Sequence, residues 1–271
     1  MLLLIGCVIG LVLGLTGAGG SVFAVPLLML LTATSMQEAS GIALGAVAAA
    51  ALLGSLRNGR NGMILWTPAL LLAATGALFA PLGKWLASLA PESLLMLGFN
   101  GLAILIALRM WLSAQRNPEQ AKVVRASKLA AVAPSQALCP LSPSGQLQLR
   151  LPCISGLLVG GALVGLLSGL FGVGGGFLIV PLLLSLSPIG MPQAVATSLV
   201  VITLISSAGF ISHLALGQPL NLSLLGLILV GSLAGMGVSQ SISHTIANAS
   251  LQKLFAASLL GVSLLTFVLH H

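Results

Sequence analysis

Aspartate and tyrosine are absent from these 271 residues, glutamate occurs three times, and charged residues of every kind make up 5% of the chain. A water-soluble domain of this length carries roughly 25% charge, so the scarcity excludes one. The ten Lys and Arg outnumber the acids. They are too few and too scattered for a nucleic-acid footprint, and no nucleic-acid partner is expected. Cys7, Cys139 and Cys153 are odd in number and lack metal-ligand spacing, which indicates neither a disulfide framework nor a zinc site. No metal or other cofactor is expected. Period-two alternation, the mark of a lipid-facing barrel strand, is missing from stretches such as 65–81 and 220–233.

What is present is apolar: 58% hydrophobic residues and a mean hydropathy of +1.16. Segments of about 20 apolar residues follow one another, enough for roughly eight helical segments. The fold class expected is all-α, a polytopic membrane protein. Leu4-Ile5-Gly6-Cys7 looks superficially like a lipobox, but no basic region precedes it and the apolar run is short for a signal sequence.

Glycines repeat with an offset of 155 residues. Gly6, Gly10, Gly14, Gly17, Gly19 and Gly20 return as Gly161, Gly165, Gly169, Gly172, Gly174 and Gly175, and Gly54, Gly62 and Gly76 as Gly209, Gly217 and Gly231; Pro26 returns as Pro181. Chance would give about two glycine coincidences rather than these nine. The chain divides into a first membrane repeat (1–112), a polar basic linker (113–152) and a second membrane repeat (153–271). Each repeat holds four apolar units: 2–31, 39–56, 63–88 and 93–112, then 153–186, 192–212, 219–240 and 249–269.

The first unit of each repeat is longer than one span needs and is interrupted by glycines, which predicts a broken or re-entrant first helix. Two such half-helix N-termini, meeting near the midplane, would offer unpaired N–H groups and positive dipole ends to a small anion. The candidate substrate-binding residues are Gly17, Gly19, Gly20, Ser21, Gly172, Gly174, Gly175 and Gly176, joined by the hydroxyls of Thr197 and Ser198. Glu38, Arg57 and His213 are candidates for gating or coupling. Glu38 also suits a helix N-terminal dipole partner, and Arg57 and His213 suit interfacial positions. Gly6, Gly10 and Gly14, spaced by four, read as close helix packing, inside the molecule or in a homodimer. His270 and His271 fit a native end or a tag remnant.

A re-entrant first unit leaves three crossings per repeat and inverts the halves; a continuous one leaves four and makes them parallel. With the basic linker inside, inversion puts nine basic residues inside and Lys84 alone outside, against eight and two for the parallel arrangement. The positive-inside rule therefore favours inversion and a cytoplasmic linker.

The motif Gly-x-Gly-Gly-x5-Pro, at Gly17 to Pro26 and again at Gly172 to Pro181, resembles the repeated signature of the TauE/SafE sulfite exporter family. The likeness extends through both halves and omits only the linker. It implies a bacterial inner-membrane carrier that exports sulfite, sulfoacetate or related small organosulfur or organic anions. It places the family motif on Gly17, Gly19, Gly20, Gly172, Gly174, Gly175, Pro26 and Pro181. Two departures stand out: Ser21 where the second copy has Gly176, and no acidic residues in the usual polar turns. The expected partners are a small anion and the bilayer, with room for a coupling ion (H+ or Na+). An anion channel is the alternative. An intramembrane serine protease built on Ser168 and His213 lacks the Gly-x-Ser-Gly arrangement, since Leu166 precedes Ser168 by two. No enzymatic activity is expected.

Overall fold

The fold is given by a computed structural model that describes residues 2–17, 19–32, 34–91, 93–95, 97–98, 100–102, 104–105, 108, 139, 151–171, 175–187, 189–242 and 261. Those residues form helices, with no strand among them. In the first half these are α1 (Leu2–Thr16), α2 (Gly19–Thr32), α3 (Met36–Arg60) and α4 (Trp66–Leu89). The helical described residues between 93 and 108 are α5. The second half has α6 (Leu151–Phe171), α7 (Gly176–Leu186), α8 (Met191–Ala215) and α9 (Leu222–Ile242). Five of these, α3, α4, α6, α8 and α9, are long and apolar enough to cross a membrane. The last unit, 249–269, lies outside the described residues except Gly261.

The interruptions fall where the glycines predict. Gly17 takes φ 65° and donates its N–H to the Leu13 carbonyl, closing α1. Gly175 takes φ 64° and caps α7. A left-handed residue stops a helix at low cost only when it is glycine. Pro26 and Pro181 sit inside α2 and α7. The carbonyl each leaves without its helix partner is tolerable in a membrane only inside protein.

The broken unit is a helical hairpin. Gly160 faces Leu182 and Gly156 faces Leu186, so α7 returns antiparallel along α6. In the first half Gly20 packs on Ile9 and Leu13, which brings the start of α2 back beside α1.

Glycine contacts also fix the directions of the other helices. Gly41 meets His213, Gly45 meets Phe210 and Gly54 meets Leu199, so α3 and α8 run antiparallel. Gly6 abuts Gly231 and Gly10 abuts Ser232, so α1 and α9 run parallel; Gly161 on Leu72 and Gly169 on Ala80 make α4 and α6 parallel. The two halves therefore point in opposite directions. Each half's first helix packs on the fourth helix of the other half, while α3 and α8 lie at the centre, 67% buried in each apolar window. α3 and α8 begin and end at positions separated by 155 residues. Gly62 (φ 67°) and Gly217 (φ 62°) turn the chain after each.

Two details differ from the sequence reading, and one alternative that it left open is decided. α3 continues through Arg57 to Arg60, because polar residues at a membrane exit do not interrupt helical hydrogen bonding. The ladder of Gly6, Gly10 and Gly14 is occupied by α9, so it serves internal packing. Cys139 and Cys153 form a disulfide, and the Cys139 N–H donates to the Leu186 carbonyl at 3.0 Å, tying the start of α6 to the end of α7. The expectation of no disulfide failed because an odd count can conceal a pair and a single; Cys7 is the free thiol.

Candidate functional site

The two interruptions lie at opposite ends of the bundle. Gly17 packs against Val195 and Ser198, in the first half of α8. The other interruption follows Leu170 and Phe171, which line a cavity with Ser35 and Ser40 from the start of α3 and Gln218 just past α8. Since α3 and α8 are antiparallel, these are opposite ends. The convergence of two N-termini near the midplane is therefore corrected: the hairpins are long enough to carry each turn toward the far side.

At the first interruption the hydroxyls are committed. Ser198 Oγ donates to the Gly17 carbonyl at 2.9 Å, and Thr197 Oγ1 accepts the Leu65 N–H at 3.1 Å. Both side chains are fully buried. Thr16 Oγ1 donates back to the Val12 carbonyl at 2.7 Å. Gly19, Gly20 and Ser21 form the first turn of α2.

At the second interruption Gly172 and Gly174 lie outside the described residues, while Gly175 and Gly176 open α7. No side chain caps this N-terminus. A Cβ at Gly175 would touch Ser168, whose buried hydroxyl has no hydrogen-bond partner. A buried hydroxyl without a partner bears a desolvation cost, and beside uncapped amide donors it is the group an anion would satisfy.

Glu38 stands in the first turn of α3, where Ser35 Oγ accepts its N–H at 3.3 Å. Arg57 is exposed in the last turn of α3. His213 is fully buried, packs on Gly41 and has Nε2 3.3 Å from the Pro219 carbonyl oxygen. It is therefore not the interfacial side chain its position suggested, because glycine on α3 leaves room for the ring. Ser168 and His213 share no hydrogen bond, so the hydroxyl–imidazole pair of a serine protease is not formed.

One residue escaped the sequence reading. Lys84, counted as a charge outside the membrane, lies within α4, is 5% exposed, and donates from Nζ to Ser40 Oγ at 2.7 Å. A single cation within an otherwise apolar helical segment was the available signal.

The family model described as Sulfite exporter TauE/SafE matches residues 2–266. The chain is similar to a protein named "Probable membrane transporter protein" from Xylella fastidiosa strain Temecula1, 30% identical over 86% of this chain and 80% of that one. A protein of the same name from strain 9a5c is 31% identical over 73% and 67%. The probable membrane transporter protein YdhB of Bacillus subtilis is 26% identical over 90% of each. No solved structure matches.

Proposed function

The chain belongs to the sulfite exporter TauE/SafE family, and from that premise we propose that this membrane transporter is a secondary carrier for small anions such as sulfite, sulfoacetate or related organic anions, working in export. The anion is held at half-helix N-termini. The observation that carries this reading is the start of α7, where an uncapped, glycine-led helix end adjoins the partnerless hydroxyl of Ser168. Amide donors at a helix start bind anions without a side-chain cation. Because the hairpins place α2 and α7 starts at opposite ends, each serves as a station for one side rather than as half of one shared site.

The membrane is taken to be the bacterial inner membrane, with the linker in the cytoplasm by its basic residues. The Cys139–Cys153 disulfide argues the other way, since cytosolic thiols are kept reduced. Nine of the ten basic residues outweigh one sulfur pair in this assignment.

The test is flux of labelled sulfite into proteoliposomes. Ser168→Ala should lower transport several-fold with unchanged insertion, and Gly19→Leu or Gly175→Leu should abolish it. Full flux in Ser168→Ala and in either glycine variant would refute the assignment.

A further inference from the structure

The two ends of the bundle are built on one plan but furnished differently, and the difference is a charge. Gly14 on α1 faces Ser239 on α9, and Gly169 on α6 faces Lys84 on α4. These pairs correspond under the 155-residue offset, so where one end has a hydroxyl the other has an ammonium. Ser40 likewise corresponds to Val195. Val195 fills the space against Gly17, whereas Ser40 accepts a hydrogen bond from Lys84. At that end Val195 and Ser198 close on Gly17. The other keeps a cavity of about 270 Å3, lined by Ser35, Gln37, Ser40, Lys84, Phe171 and Gln218.

Lys84 does not snorkel. Its side chain turns inward to a neutral hydroxyl, and Glu38, the one acidic residue among those described, forms no ion pair with it. A buried ammonium with only a hydroxyl partner is costly in a membrane segment and marks a functional site by default. An ammonium has three donors, and the bond to Ser40 uses one. Gln37 and Gln218 add neutral amide groups to the wall, and Ala87 and Leu95 contribute apolar surface to it.

The cavity is smaller than a typical drug-sized pocket of about 300–1,000 Å3, so it suits a small anion.

The structure assigns to Lys84 the fixed positive charge of an anion-binding site at one end of the carrier only, the end opposite the start of α6, taking a small singly charged oxyanion such as a sulfonate or carboxylate. One ammonium balances one negative charge. The remaining Lys84 donors and the glutamine amides reach the oxygens, and the apolar wall of Ala87, Leu95 and Phe171 accepts a short carbon substituent. The site rests on the anion-carrier reading only for its place on a transport path, because binding is measurable without transport.

The full-length protein, purified in detergent, is melted with sodium methanesulfonate or sodium acetate as probe and sodium chloride as reference. A bound anion raises the melting temperature by mass action. Either probe should stabilise the wild-type protein beyond chloride, Lys84→Gln should bind about ten- to a hundredfold more weakly, and Lys84→Arg should keep the response. Lys84→Gln removes a buried charge, so it is expected to fold, and its own melting curve in chloride checks this. An equal response in Lys84→Gln, or no response from either probe in the wild type, overturns the proposal. Intact, Lys84-dependent binding in a protein that shows no counterflow supports the site and counts against the carrier reading.

Discussion

Single glycines set how closely these helices approach. In lipid there is little hydrophobic gain from helix association, and close van der Waals contact takes its place. A Cβ on Gly165 would overlap the backbone of Gly76, whereas Gly226, also within a helix, has open space around it. Gly165→Val should therefore destabilise the bundle by about 1–3 kcal/mol or more, and Gly226→Val should leave melting in detergent nearly unchanged. Equal melting of the two variants would show that the α4–α6 approach is not as close as described. The hydroxyls divide in the same local way. Ser198 and Thr197 are held by backbone partners, while Ser168 has none, and sequence alone does not distinguish them because a serine in a helix carries no sign of what faces it.

At the scale of helices, the pairing direction of α3 and α8 decides how the halves relate. Ser55 Oγ and Thr203 Oγ1 are 3.4 Å apart. In a background with Cys7, Cys139 and Cys153 changed to serine, Ser55→Cys with Thr203→Cys should cross-link on mild oxidation. Ser55→Cys with His213→Cys should not, since ten residues along a helix add about 15 Å. Cross-linking of the second pair alone would reverse the direction. The broken first helices were legible in the sequence, because left-handed turns in apolar segments call for glycine and both copies have it. Their placement at opposite ends was not legible. Gly17 and Gly175 mark where the chain turns, but contacts such as Gly17 with Val195, far apart in sequence, decide what each turn lies against. Lys84 was misread for a related reason: its position near the end of α4 suits a snorkelling residue, and only the bond to Ser40 reveals that it turns inward.

For the molecule as a whole, the proposed reading puts one anion station of each oppositely directed half on each side of the membrane, with Lys84 beside one of them. Such a pairing suits a protein that exposes its substrate to one side at a time. A continuous pore needs no exchange between states, so the two mechanisms differ in how substrate on one side affects flux from the other. Counterflow tests this directly: proteoliposomes loaded with unlabelled sulfite and diluted into trace labelled sulfite. The carrier account predicts transient uptake above equilibrium, stimulated by the unlabelled anion inside. Flux that is indifferent to the internal anion, with conductance in planar bilayers, would contradict it.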